Sequence, residues 1–276
     1  MFSIIYNIFS RIIFMNKKID SNLRGRCIAE FLGTGLIIFF ITGSCAALKL
    51  TGANFGQWEI SIISGMGVTM AIYISNTISG SHLNPAVTIA LWMHSYFKKR
   101  DVIPYILSQI CGAFFATALI YCLYYNLFIN FELKHHLIKG SKDWIYLASI
   151  FSTYPNSYIN IYQAFVIETI ITIIFMTIIM ILTDNNYNEN LSPLIIGLLI
   201  GVIGSSVGTL TSFALNPARD FAPKLFTWLI GWGNIVFTGG RKIPYFLIPI
   251  FGPILGANIG VFSYKKYIKP HLHKQE

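Results

Sequence analysis

Six long apolar segments dominate the pattern of hydrophobic and polar positions along the chain, and short polar stretches separate most of them. Their bounds are about 27–48, 60–78, 101–128, 162–182, 193–210 and 244–264. An α-helix rises about 1.5 Å per residue, so about 20 apolar residues cross the ~30 Å hydrocarbon core of a bilayer. The pattern therefore predicts an all-α membrane protein with six transmembrane helices and a long polar interval over residues 130–160.

Two further apolar segments are half that length, and both begin with the same triplet. The triplets are Asn84-Pro85-Ala86 and Asn216-Pro217-Ala218, and the segments end near residues 94 and 230. Asn is a favoured helix N-cap and Pro suits the first helical position, so each triplet predicts a helix start. Segments this short must return to the side they entered, so we expect two re-entrant half-helices whose positive ends meet near the midplane. Pro223 should bend or end the second one.

The chain contains an internal repeat. The two Asn-Pro-Ala triplets lie 132 positions apart (216 − 84), and Ile103-Pro104-Tyr105 recurs as Ile243-Pro244-Tyr245, 140 positions later (243 − 103). Each half, about 24–128 and 160–268, holds three full spans, and three is an odd number. The second half must therefore be inverted relative to the first. We divide the chain into an N-terminal basic, interfacial extension (1–23), a membrane domain (24–268) and a C-terminal basic tail (269–276).

Composition supports a membrane protein and its orientation. The chain is 54% hydrophobic and 11% charged, against about 25% charged in ordinary soluble domains. The net charge of +9 is not gathered on one polar domain, so we do not expect nucleic-acid binding. If the N-terminus is cytoplasmic, 12 of the 20 Lys and Arg residues lie on that side. The positive-inside rule therefore places both termini in the cytoplasm.

Two acids lie inside apolar spans, Glu30 in the first and Glu168 in the fourth. Such a group either reaches the interface or faces the bundle interior, and we expect the second arrangement, with non-helical backbone donating to each carboxyl group. Neither the scattered cysteines (Cys27, Cys45, Cys111 and Cys122) nor the adjacent pair His135-His136 makes a convincing metal site, so we expect no metal and no cofactor.

These features resemble the major intrinsic protein family. The paired Asn-Pro-Ala triplets on inverted three-span halves carry the resemblance, and Asn216-Pro217-Ala218-Arg219-Asp220, with Asp after Arg, is similar to the aquaglyceroporin branch. The stretches 29–35, 55–60, 124–127 and 237–241 also look like bacterial members of that branch. The resemblance covers about residues 24–268 and identifies them as an aquaglyceroporin-like channel domain.

The resemblance implies roles for individual residues. Asn84 and Asn216 would donate hydrogen bonds to permeant hydroxyl groups at the midplane, and Arg219 would donate at the outer constriction and repel cations. Phe213 would supply an aromatic wall there. Gly204 matches the position at which water-selective relatives keep a His, which would leave room for a wider solute.

Three more positions follow from the same resemblance. Glu30 and Glu168 would brace the re-entrant loops. Ser64 stands where the branch has a Trp that completes the apolar corner of the constriction, so its presence should widen the passage and loosen selectivity.

The expected function is passive diffusion of glycerol and related small uncharged polyols, with some water, through a channel that excludes ions and protons. The resemblance also implies a homotetramer in a bacterial cytoplasmic (inner) membrane. A water-selective channel, a proton-coupled transporter that uses Glu30 and Glu168 as a relay, and a membrane enzyme remain as alternatives. The sequence shows no nucleophile with a base and no metal cluster for the last.

Overall fold

The computed structural model describes residues 22–138, 140–184 and 190–272. Almost all of the N-terminal extension and the last four residues of the tail lie outside the described residues. Within the described part, six helices are long and apolar enough to cross a membrane. They confirm the predicted all-α membrane fold and make the chain an integral membrane protein.

The six spans begin and end within a few residues of their predicted bounds, except for the third. In chain order they are α1 (Leu23–Leu50), α2 (Gln57–Ser79), α4 (Lys99–Leu123), α7 (Ile161–Asp184), α8 (Ser192–Thr211) and α11 (Ile248–Ser263). A 3-10 turn (Tyr245–Leu247) precedes α11, and a π-helical turn (Tyr264–Ile268) and the short α12 (Lys269–Leu272) follow it.

The two half-helices are α3 (Pro85–Met93) and α9 (Pro217–Thr227), of 9 and 11 residues. Pro223 was expected to bend or end the second one, and it does not end it, because α9 continues for four residues beyond it and passes into a π-helical turn, Trp228–Trp232. A bend at Pro223 stays a prediction. Pro removes only one N–H from the helical ladder, and the helix tolerates that loss. The chain leaves helical geometry at Gly231, where φ is +92°.

The interval 130–160 is not a simple polar loop. The third span ends at Leu123, and two short helices follow it, α5 (Tyr125–Lys134) and α6 (Trp144–Phe151). One further short helix, α10 (Ile235–Thr238), lies between α9 and α11. Trp144, Leu147, Ala148 and Phe151 are buried in α6. Their spacing of i, i+3, i+4 and i+7 is that of one helix face. An eight-residue helix is too short to register as a span, so this pattern was missed.

The repeat found in the sequence is also a repeat of contacts. Tyr105 and Tyr245 are fully buried, and their hydroxyl groups donate to the carbonyls of Ser79 at 2.9 Å and Thr211 at 3.4 Å. Those two carbonyls end the spans α2 and α8 that precede the half-helices. Equivalent residues of the two halves therefore hold equivalent turns.

Glycines let the spans approach closely, as small residues commonly do in membrane bundles. Gly112 of α4 lies against the backbone of Phe31 in α1, and Gly252 of α11 lies against Phe165 and Glu168 of α7. Gly65 and Gly197 bring α2 and α8 together across the interface of the two halves. Outward faces carry exposed apolar side chains at intervals of four or eight residues, such as Ile103, Leu107, Phe115 and Leu119 on α4.

Candidate functional site

Each half-helix is preceded by a short non-helical loop that enters the bundle: the first loop, residues 80–84, and the second loop, residues 212–216. The non-glycine residues Ser81 and Leu83 have φ of +49° and +50°, and Phe213 and Leu215, 132 positions later, have φ of +38° and +57°. Such conformations cost about 1–3 kcal/mol each and persist only where the surroundings impose them. The loops therefore require external support.

Glu30, at the base of the first loop, accepts four hydrogen bonds. Its oxygens accept from the backbone N–H groups of His82 at 2.9 Å and Leu83 at 2.6 Å. The side chains of Ser79 and Gln109 also donate to it, each at 2.7 Å. The carboxylate is fully buried. It satisfies two loop N–H groups that have no partner within a helix.

Glu168 occupies the matching position in the second half. Its two oxygens accept from the backbone N–H groups of Ala214 at 3.0 Å and Leu215 at 3.1 Å, and it is also fully buried. In both loops the N–H groups are thus turned toward a carboxylate. The carbonyl groups on the other edge of each loop are left for other partners.

Each of the two Asn residues caps its own half-helix and donates a hydrogen bond to the loop of the other half. Asn84 Oδ1 accepts from Ala86 N at 2.8 Å, and Asn216 Oδ1 accepts from Ala218 N at 2.9 Å, so both are N-caps as predicted. Asn84 Nδ2 donates to the carbonyl of Leu215 at 2.9 Å, and Asn216 Nδ2 donates to the carbonyl of Leu83 at 2.7 Å. The amino ends of the half-helices therefore meet.

Both loops line a cavity of about 390 Å³ between the spans. Its lining includes apolar side chains from several spans, such as Ile72, Phe175 and Ile200. It also includes loop residues 80–84 and 213–216, which contain the two Asn residues, and Arg219 in the first turn of α9. The cavity thus offers both apolar and polar groups to a molecule inside it.

Arg219 lies in the first turn of α9 and is 7% exposed. Its Nη1 donates to the carbonyl of Phe151 at 3.1 Å. A guanidinium has five N–H donors in a fixed fork. Among the described residues one of them is bound to protein here, so the rest can serve a molecule in the cavity.

Phe213 and Gly204 are in contact. A Cβ at Gly204 would lie 2.9 Å from Cζ of Phe213 and 2.6 Å from Oγ of Ser61. Gly204 is not a lining residue of the cavity, whereas Phe213 is. The missing side chain at Gly204 therefore makes room for the Phe213 ring, which in turn forms the wall.

Ser64 is fully buried in α2, and its hydroxyl group donates to the carbonyl of Ile60 at 2.6 Å. It does not line the cavity. Its widening effect on the passage therefore stays a prediction.

Three residues beside Arg219 form a buried group that we call the Thr153 clamp: Thr153, Asp220 and Lys224. Sequence analysis noted Asp220 after Arg219 but assigned it no role, and it missed Thr153 and Lys224. Asp220 and Lys224 form an ion pair at 2.6 Å inside the protein, and both bind Thr153. The spacing of Asp and Lys at i and i+4 on one helix was the available signal. The carbonyl of Phe151 gave no signal, because every residue has one.

Within the described residues, no three His, Cys, Asp or Glu side chains are grouped so that they could hold a metal ion. His135 stacks on the Phe131 ring at 3.9 Å between ring centroids.

Comparison with known proteins identifies the class of site. A sequence profile of the family described as "Major intrinsic protein" matches residues 17–264. The chain belongs to the major intrinsic protein family. This membership confirms a transmembrane channel and excludes the enzyme alternative.

Relatives within the family are similar over most of their length. The glycerol uptake facilitator protein of Escherichia coli (strain K12) is 62% identical over 255 residues, which cover 91% of each chain. The glycerol uptake facilitator protein of Haemophilus influenzae is 54% identical, over 92% of this chain and 97% of the relative. The propanediol uptake facilitator of Salmonella typhimurium is 52% identical, over 92% and 97%.

A solved structure of a family member has the same fold. The X-ray structure of the aquaglyceroporin from Plasmodium falciparum superposes with a TM-score of 0.80 at 29% identity, covering 90% of this chain and 98% of the other. The predicted fold and family are therefore confirmed.

Proposed function

We propose that this chain is a passive channel for glycerol and related small uncharged polyols, and for some water. The observation that carries the proposal is the mixed lining of the cavity: apolar side chains from the spans border the same space as the two loops, the two Asn residues and Arg219. A linear polyol has carbons along one side and hydroxyl groups along the other. Such a passage replaces its hydration shell group by group. Relatives named for glycerol and propanediol uptake support this solute class.

The site residues take the following roles in this proposal. The second N–H of each Asn84 and Asn216 amide, beyond the one bound to the opposite loop, donates to the solute at the midplane. The free donors of Arg219 bind hydroxyl groups at the narrow end, against the Phe213 ring. Gly204 sets the depth of that ring, and Glu30 and Glu168 keep the loop N–H groups out of the passage.

Ions and protons are excluded by fixed positive charge. The amino ends of both half-helices and the guanidinium of Arg219 raise the energy of a cation where it must shed water. Glu30 and Glu168 are not cavity-lining residues, and loop N–H groups occupy their oxygens. This geometry does not favour a proton relay, so we propose that the solute passes by diffusion down its own concentration gradient.

We also propose the finer location and assembly. The channel unit is 24–268, both termini are cytoplasmic by the distribution of Lys and Arg, and the membrane is a bacterial cytoplasmic membrane, in line with the bacterial relatives. A homotetramer is proposed from family resemblance. Crosslinking of the protein in native membranes tests it, and bands no larger than a dimer would count against it.

Stopped-flow light scattering of proteoliposomes tests the function. We expect glycerol equilibration many times faster than in protein-free liposomes, unchanged when a protonophore collapses the proton gradient. Fast water flow with glycerol flow no faster than in empty liposomes would establish the water-selective alternative. Loss of glycerol uptake with the gradient would establish the proton-coupled one.

A further inference from the structure

The outer loop that follows α6, residues 152–160, is held by helix α9 through the Thr153 clamp. Thr153 uses all of its polar groups: its N and Oγ1 donate to Asp220 Oδ1 at 2.7 and 2.6 Å, and its carbonyl accepts from Lys224 Nζ at 3.0 Å. Lys224 Nζ donates to both Asp220 oxygens at 2.6 Å. All three residues are fully buried. Three hydrogen bonds with α9 side chains therefore fix the loop at Thr153.

The residue just before this loop, the last of α6, is the partner of Arg219. Phe151, whose carbonyl accepts from Arg219 Nη1, lies two residues before Thr153. Two residues of extended chain reach about 7 Å at most. Arg219 and Asp220 are neighbours in the first turn of α9. One helix thus binds one short stretch of backbone twice, once through the guanidinium that faces the cavity and once through the clamp.

A buried ion pair contributes little to the free energy of folding, since the desolvation of two charges offsets most of their attraction. When each donor and acceptor is satisfied, the pair instead fixes the geometry of the groups that it binds. Lys224 Nζ also lies 4.6 Å from the centre of the Tyr154 ring, so its position is restricted from a third side.

We propose that the Thr153 clamp is a positioning device for selectivity: it fixes the Phe151 carbonyl and thereby the Arg219 guanidinium at the narrow end of the passage. The clamp residues do not line the cavity and do not touch the solute. The proposal rests on the proposed function, because the alignment of Arg219 matters only if polyol hydroxyl groups pass it.

The experiment compares Thr153→Val with Thr153→Ser in purified protein in liposomes. Val keeps the size of Thr and the backbone N–H bond to Asp220 but removes the hydroxyl donor, whereas Ser keeps the hydroxyl group. Lys224→Met is the second clamp variant, and Thr117→Val is the matched control, since Thr117 is also buried and its hydroxyl donates only within its own helix, to the carbonyl of Ala113.

The measurement is the ratio of glycerol to water permeability in the same vesicles, which does not depend on how much protein is inserted. We expect the ratio to fall at least about threefold in Thr153→Val and further in Lys224→Met, a change of about 0.65 kcal/mol or more between the two barriers. Thr153→Ser and Thr117→Val should keep the parent ratio.

The outcomes separate the two proposals. An unchanged ratio in Thr153→Val, with the parent protein conducting glycerol, overturns the clamp and leaves the channel function intact. A parent protein that conducts no glycerol overturns the function itself. If Lys224→Met does not fold, the Thr153→Val and Thr153→Ser pair still decides the question, because it changes no charge and little volume.

Discussion

The contact between Gly204 and Phe213 gives a sharp prediction for Gly204→Ala. The new methyl group would lie 2.9 Å from Phe213 Cζ, 2.6 Å from Ser61 Oγ and 2.9 Å from Ser61 Cβ. Carbon atoms prefer separations of about 3.5–4.0 Å. Ser61 Cβ is fixed to the α2 backbone, so it cannot rotate away. The helices α2 and α8 must therefore move apart slightly, and the ring of Phe213, which lines the cavity, must move by about 0.5 Å or more to restore ordinary contact distances.

The magnitude follows from the cost of this overpacking, which is about 1–3 kcal/mol for one added methyl in a packed interior. If about 1.4 kcal/mol of it appears as an added barrier for a solute that touches the ring, passage slows tenfold. Glycerol fills the width of the passage more completely than water does. We therefore expect glycerol permeability to fall about tenfold and water permeability to fall less.

The assay is stopped-flow light scattering with glycerol and with an impermeant osmolyte, on matched amounts of folded protein. Gly201→Ala is the control, one helical turn earlier on α8, because a Cβ there would lie 3.3 Å from the flexible end of Ile62 and at ordinary contact distances, 3.7 Å and 4.0 Å, from the Ser61 carbonyl oxygen and Ile62 Cα. Glycerol permeability within twofold of the parent in Gly204→Ala, or an equal loss in Gly201→Ala, would refute the reasoning.

Three further predictions concern the loops and the constriction. Ser64→Trp has no room in its buried position, so the ring should reach the passage and lower the permeability of longer polyols relative to glycerol in the same assay; an unchanged ratio would show that residue 64 faces elsewhere. Asn84→Ala and Asn216→Ala each lose an N-cap and a bond to the opposite loop, about 1 kcal/mol apiece, so both should unfold in detergent at lower and nearly equal temperatures; a drop for only one contradicts the reciprocal arrangement. Glu168→Gln sets an NH2 group against a loop N–H, at a cost of about 1–3 kcal/mol, and should reduce glycerol flow per folded protein; full activity would count against loop support.

Features governed by local chain physics were predictable. Apolar length fixed the six spans to within a few residues, apart from the end of the third, and N-cap chemistry placed both half-helix starts at Asn84 and Asn216. The position of Glu30 and Glu168 in apolar spans pointed to partners among non-helical backbone, and the four N–H groups of the two loops are those partners.

Features governed by tertiary contact were not predictable in the same way. The α6 helix is stable because its face packs on Trp232, some 80 positions away in the chain. The carbonyl of Phe151 binds Arg219 only because the end of α6 and the loop after it pack against α9. Gly204 was predicted to leave room for the solute. In the structure the ring of Phe213 lies beside Gly204, and its position depends on the Phe213 rotamer, which the sequence does not specify.

The exchange of hydrogen bonds between Asn84 and Leu215, and between Asn216 and Leu83, has a consequence for biosynthesis. When the first loop leaves the ribosome, its acceptor and donor partners have yet to be translated, because they lie more than 130 positions downstream. In the nascent amino-terminal half, Asn84 Nδ2 and the Leu83 carbonyl therefore lack these partners until the second loop is translated. A transcript that ends before the second loop should consequently yield a polypeptide that membrane proteases remove.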